Sequence, residues 1–457
     1  MARSKMMTKL SRREFLKTSS AAAIFAATPG LAFSQVIGSG GLFDDYRALV
    51  CVFLFGGNDS FNMLVPRSDA EYAVYAASRQ NLAIPQQDLL SINPVTSDGA
   101  QYGLHPSMTA LKDVFESGAA AFVTNVGPLI EPTTKDQFFN KSVTLPPQLF
   151  SHNDQQDQWS SLKGTTTSKT GWAGRMADLI RTGVSGQKMA TNASLFGSNL
   201  FQSADATVAY VMGPEGPIQF EGFSTDPGSL FYEQRQAFQR IIDAGYGSIY
   251  ERGFADIQNR AIEAADTISN AIASAPPLAT VFPQSQLGTQ LETVARLIAV
   301  RDELQMQRQV FFVAASGFDT HDKQIVDQPD LLGGVSDAMA AFYSATVELG
   351  ISDSVTSFTQ SDFGRTLTSN GDGTDHAWGG NQVVLGGAVR GRDLYGSYPL
   401  LQIGGDEDVS GGRMIPTTSA DQYAATLAKW FGIADADLDV VAPNLGNFAE
   451  RDLGFMI

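Results

Sequence analysis

The chain has 457 residues, a formal charge of −17, four histidines and a single cysteine. That length exceeds the usual single-core size and leaves room for one large α/β domain with insertions, or for two domains. So acidic a surface repels nucleic acid and anionic membranes, and the lone Cys51 rules out an intrachain disulfide.

The first element in chain order is a leader. "SRREFLKTSS" at 11–20 precedes the short apolar stretch "AAAIFAATPGLAF", and Ala32-Phe33-Ser34 offers small residues for cleavage before Gln35. The apolar part is too short to span a bilayer. Arg12-Arg13 followed by x-Phe-Leu-Lys resembles the twin-arginine export signal. Residues 1–34 are therefore expected to be a signal peptide read by the Tat translocase, and 35–457 to reside in the periplasm or on the cell surface without a stable membrane span. A chain without disulfides suits folding in the reducing cytoplasm before transport.

After the Gly-Ser run at 37–41, "ALVCVFLF" (48–55) is apolar on both faces, as an inner strand of a helix-covered parallel sheet must be. Cys51 within it reads as a small core residue. Further strands are expected at 119–127, 207–213, 309–316, 354–361 and 381–389. Helical periodicity falls at 105–118, where Met108, Leu111, Val114 and Phe115 share one face, and at 329–350 and 418–432. Residues from about 227 to 307 are helical with few breakers and read as an insertion or side layer. The alternation predicts a mainly parallel α/β sheet with helices on both faces.

Ligands bind such sheets beyond the carboxyl ends of their strands. Three expected strands end in acidic loops: "GGNDSFN" with Asn58 and Asp59, "GFDTHDKQ" with Asp319, His321 and Asp322, and "TQSDFGRT" with Asp362 and Arg365. "GDGTDHAWGG" adds Asp375 and His376. Carboxylates and imidazoles crowded at one edge repel one another unless a cation sits among them, which predicts a metal site. Singly, each has an ordinary reading: Asp59 as a helix cap, Asp375-His376 as a surface loop, Arg365 as the partner of a neighbouring aspartate rather than of a substrate anion. Trp378 either walls the pocket or packs.

The order of "GGND", "LHPSMTALKDVFESGAAAFVTNVG", "LFSHNDQQDQW", "GFDTHDKQ", "FTQSDFGRT" and "GTDHAWGG" resembles a family of Tat-exported bacterial proteins of undefined activity within the alkaline phosphatase and sulfatase superfamily. The resemblance spans about 45 to 457 and implies an alkaline phosphatase-like fold. It implies metal ligands at Asp59, Asp319, His321, Asp362 and His376, with Asp375 beside the last. Where the superfamily places a second ligating residue after Asp362, this chain has Phe363, which cannot ligate; His152 or Asn58 would have to compensate. The resemblance also makes Ser151 the candidate nucleophile, with His152 beside it, and gives His105 a structural role. Ser151 equally suits the N-cap of the helix that follows.

Two functions follow as expectations. The first is a metal-dependent hydrolase of phosphate or sulfate esters acting on a small anionic substrate, in which mixed nitrogen and oxygen ligands suit zinc or manganese better than calcium. The second is an exported metal- or partner-binding protein that keeps the fold without turnover. Nucleotide binding through "FGGND" is disfavoured, since neither phosphate-loop spacing is present.

Overall fold

Strand β1 (Arg47–Phe55) is apolar along its length because both of its faces are covered. Ala48, Val50, Val52 and Leu54 enter one core and Leu49, Cys51 and Phe53 the other, the period-2 alternation of a strand. The computed structural model describes residues 43–457 apart from 97, 185, 219–223 and 225, so the export signal expected over 1–34 lies outside the described residues. Among these, no helix is long and apolar enough to cross a membrane.

In chain order the remaining strands are β2 (Leu64–Pro66), β3 (Leu90–Ile92), β4 (Tyr102–Leu104), β5 (Ala120–Gly127), β6 (Asn192–Ser194), β7 (Tyr210–Val211), β8 (Arg308–Ser316), β9 (Val355–Ser361), β10 (Gly380–Gly386), β11 (Asp393–Tyr395) and β12 (Thr418–Ser419). The central sheet runs β11-β5-β10-β9-β1-β8-β6-β7, with β12 joining β5. β1 pairs in parallel with β8 and β9, β6 in parallel with β8, and β5 in parallel with β11 and β12. β10 alone runs against its neighbours, β5 and β9. β2, β4 and β3 form a small antiparallel sheet beside it.

Helices cover both faces. Thr109–Glu116, Gln286–Ala299 and Gln324–Glu348 bury their apolar sides in the core lined by Val50 and Val52. Trp172–Ile180, Ala420–Phe431 and Leu438–Val441 bury theirs against Leu49 and Phe53. The mainly parallel, doubly covered sheet matches the sequence expectation. The 207–213 strand shrinks to two residues, and the helix expected from Pro329 starts five residues earlier, at Gln324.

The sheet positions the site through register. Leu54 lies beside Ser361, and Phe55 beside Ser316, so β1, β9 and β8 end level with one another. β10 begins at that same edge because it is antiparallel, which returns residues 374–379 to the loops that follow the other three strands. These loops touch through glycine. Gly56 has φ +119°, and a Cβ there would lie 2.3 Å from the Asp319 backbone nitrogen; Gly57, at φ +90°, leaves room for the Phe363 ring. Both the left-handed backbone and the contact require glycine. Gly56→Ala is expected to destabilise the fold by roughly 2 kcal/mol or more, read as a fall in thermal midpoint, because the obstacle is backbone and not a movable side chain.

Candidate functional site

Three imidazoles gather around one carboxylate. His152 Nε2 lies 3.5 Å from Asp319 Oδ2; His321 Nε2 and His376 Nε2 lie 3.1 and 3.4 Å from Asp319 Oδ1. His321 Nε2 and His376 Nε2 are 2.9 Å apart. One ligand atom from each of His152, Asp319 and His376 falls within 4.8 Å of the others, the spacing a single metal ion could bridge.

The opposite ring nitrogen of each histidine is held. His376 Nδ1 lies 2.7 Å from the Phe150 carbonyl oxygen, which can only accept, so Nδ1 carries the proton and Nε2 a lone pair. His152 Nδ1 sits 2.6 Å from Asp362 Oδ2, which also accepts from Gln156 Nε2 at 3.0 Å. His321 Nδ1 is 3.3 Å from Asp375 Oδ1. Histidines that ligate metals are oriented by carboxylates and carbonyls in this manner. Two imidazole lone pairs facing each other at this range repel, and either a proton or a cation between them removes the conflict.

Electrostatics favour charge at the carboxylates and neutrality at the deeper ring. Burial raises the Asp319 carboxyl, but Arg365, by hydrogen bond and charge, and then His321 and His152 outweigh it, so the group titrates below the usual range. Asp375 is lowered likewise: burial opposes, while Asn370, His321 and Arg413 prevail. His376 is lowered chiefly by burial, and the neighbouring cations add to that against the Phe150 carbonyl.

The sequence-derived residues separate into three roles. His152, Asp319, His321 and His376 share one neighbourhood. Asp362 and Asp375 stand behind them as partners of His152 and His321 instead of facing the centre. Asp59 is engaged elsewhere: its Oδ2 takes N–H groups of Arg79 and Gln324 within a fully buried ion pair. Asp59 Oδ1 and Asp362 Oδ1 are buried acceptors without a hydrogen-bond partner. Buried carboxylate oxygens seldom remain so, and an ion is one group that would satisfy them.

Arg365 is not available to a substrate, contrary to the reading that gives it an anion. It is fully buried and donates to Gly56 O at 3.2 Å, Asp319 Oδ1 at 2.7 Å, Thr374 Oγ1 at 3.2 Å and the Thr374 carbonyl. Ser151 occupies the N-cap position of the helix His152–Ser161 without donating to or accepting from its first turn's backbone through its side chain; its hydroxyl donates to Asp154 Oδ2 at 2.6 Å. Trp378 packs: it is buried, with its indole N–H on the Pro128 carbonyl. Phe363 lies against His152 and His376, ring centroids 4.8 and 4.6 Å away. His105 is structural: its Nδ1 accepts from the Ser107 N–H, and burial pushes the imidazole down to about 4.

Sequence reasoning missed four residues. Phe150 presents its carbonyl from a left-handed backbone, φ +76°, which no motif announces. Gln156 lies one helical turn beyond His152, a spacing that places the two side chains together and was legible. Asn370 donates to the His321 carbonyl at 3.0 Å and to Asp375 at 3.2 Å. Arg413 donates through Nε to the His376 carbonyl at 2.9 Å and through Nη1 to the Ser410 carbonyl at 3.2 Å, with its guanidinium over the Phe150 ring. It is half-buried at the rim of the site and has no carboxylate within ion-pair distance among the described residues.

Chemically, the arrangement offers a divalent ion one oxygen and up to three nitrogen ligands, a proton-transfer pair in Asp375–His321, and a guanidinium at the rim. Solved structures with a similar course of chain include the lipoteichoic acid synthase LtaP from Listeria monocytogenes, 8% identical with a TM-score of 0.33 over 86% of this chain and 73% of that one. Ps i-CgsB is 10% identical with a TM-score of 0.34 over 90% and 77% of the two chains, and 0.32 over 86% and 74% in its complex with k-i-k-neocarrahexaose. No curated protein matches the chain. A family model covers residues 46–442, from β1 through the last helix, and the chain therefore belongs to the family described as Protein of unknown function (DUF1501).

Proposed function

We propose that this protein is an exported, metal-dependent hydrolase of phosphate or sulfate esters. The observation that carries the reading is the convergence of three imidazole Nε2 atoms on Asp319, each ring held from behind at Nδ1. His152, Asp319 and His376 would hold the ion; three protein ligands leave a position open, as catalytic sites do. The nitrogen-rich set suits zinc, with manganese next. Such an ion supplies Lewis acidity toward an ester oxygen and toward attacking water.

The chain's own residues do the rest. His321 is the most exposed of the three rings and is paired with Asp375, so its Nε2 can take a proton from the attacking group and return it to the leaving oxygen. Arg413 at the rim would hold a non-reacting anionic oxygen of the substrate, the task that Arg365 is too buried to perform. Arg365 positions Asp319. Phe363 seals the inner side against His152 and His376, which supports one ion in this cluster and not two.

A second reading, a metal- or partner-binding protein without turnover, is favoured by Ser151, whose hydroxyl is already donated to Asp154. Metal content tests the site that both readings share, and turnover separates them. Protein isolated from its own cell envelope is expected to carry about one zinc or manganese per chain by elemental analysis, and Asp319→Asn or His376→Ala to lose it. Because His376 is held below the ordinary imidazole range, it stays neutral to lower pH than a free imidazole, so its contribution to retention persists through neutral pH and is lost on acidification below that range.

With aryl phosphate and aryl sulfate, the metal-loaded protein is expected to turn over. His321→Gln should lower kcat by about a hundredfold or more while keeping the metal. Ser151→Ala should retain turnover within a few-fold if water attacks; a loss as large as that of His321→Gln would make Ser151 the nucleophile. Silence toward every ester, with metal bound, leaves the binding role. Export is checked separately: replacing Arg12 and Arg13 by Lys is expected to hold the protein in the cytoplasm, and unchanged export would remove the Tat assignment.

A further inference from the structure

We infer that the cleft between the loop 81–88, the turn 105–107 after β4 and the first turns of the helix Gln324–Glu348 binds a small uncharged carboxamide with a compact apolar body. The cleft has a volume of about 250 Å³, just under the usual range for small-molecule sites. It is separate from the imidazole centre, since none of His152, Asp319, His321 and His376 lines it. Leu82, Ile84, Pro85, Pro106, Ile325 and Pro329 make its walls largely apolar.

The polar part of the lining is held in place by its own bonds. Asn62 donates to the Leu82 carbonyl at 3.1 Å and to Gln328 Oε1 at 3.2 Å, and accepts from the Tyr75 hydroxyl at 2.8 Å. Gln324 Oε1 accepts from Thr374 Oγ1 at 2.7 Å, and its amide nitrogen uses both hydrogens, on Asp59 Oδ2 and on Gln328 Oε1. All three amides are buried. Groups fixed in this way before a ligand arrives need little ordering when it binds.

Two donors of the lining remain. Gln328 Nε2 places one hydrogen on the Asp59 carbonyl at 3.0 Å and has no acceptor for the other among the described residues. His105, 6% exposed, accepts at Nδ1 from the Ser107 N–H at 3.2 Å, so its single proton lies on Nε2, which has no partner among the described residues. Buried donors seldom go without an acceptor, and leaving them so is unfavourable. The chemistry of the occupant follows. A ring whose Nδ1 accepts is neutral and brings no positive charge, and the Asp59 carboxylate lies close enough to act on it, so an anion is disfavoured. An ammonium offers no acceptor. A carbonyl oxygen takes two N–H groups and stays uncharged, and Asp88, an exposed acceptor on the same lining, suits the N–H of a carboxamide.

Ligand-observed NMR on the full chain with benzamide, benzoate and benzylamine tests this, because the three share one apolar body and differ in charge. Benzamide is expected to bind at about millimolar concentration or below, and the two charged compounds at least about tenfold more weakly. His105→Phe should weaken benzamide by about five- to tenfold through loss of one donor. Ile325→Trp, at a position 58% exposed, should fill the mouth of the cleft and abolish binding with an unchanged thermal midpoint. No binding of benzamide, either charged compound binding as tightly, or benzamide binding undiminished in either folded variant would overturn the inference.

Discussion

One buried guanidinium holds the site together. Arg365 leaves the end of β9 and reaches the Gly56 carbonyl after β1, the Asp319 carboxylate after β8, and Thr374 in the segment leading into β10. Four strand termini thus depend on one cation that water cannot reach. A guanidinium with this many acceptors in a fixed fork is pre-organised, and removing it would leave Asp319 without its strongest compensation. The imidazoles converge because Asp319 is held where it is, and Asp319 is held because Arg365 is saturated.

Much of this was legible in the residues. The apolar run of β1, covered on both faces, declared an inner parallel strand, and the acidic loops after three such strands declared a common edge. Neighbourhood was readable because strands in register must end together. Direction was not. Nothing in "DFGRT" says whether an arginine turns outward to solvent or inward to carbonyls, so Arg365 read both as a substrate contact and as the partner of an aspartate; it is the latter, held on Asp319 and on carbonyl oxygens besides. The direction of Asp59 was hidden for the same reason: its Oδ2 meets Arg79 from the helix Asp69–Arg79, twenty residues on, and no local pattern links them. Short strands such as β6 and β12 escaped because two or three residues carry too little periodicity to be seen.

The carboxylates around the histidines divide between the one that faces the centre and those that orient the rings. Four carboxylates seemed alike as sequence, yet one faces the centre, two brace rings and one is bound in an ion pair. Composition cannot sort these roles, because each depends on which oxygen meets which ring nitrogen. The rim carries a cation as well: Arg413, with no carboxylate within ion-pair distance among the described residues, lies near enough to Asp375 to favour its charged form.

The reversal of β10 has a consequence for how the family can diversify. Residues 364–379 join β9 to an antiparallel neighbour, so they form a hairpin-like excursion whose two ends are anchored side by side in the sheet. Lengthening that excursion at its exposed tip, residues 370–372, leaves strand order, helix placement and the Arg365–Thr374 bonds in place, since closing a somewhat longer loop between fixed posts costs little. The side chains of Asp375 and His376 can therefore change while the strands beneath keep their register, because what binds this excursion to the scaffold is the backbone and the Arg365–Thr374 bonds.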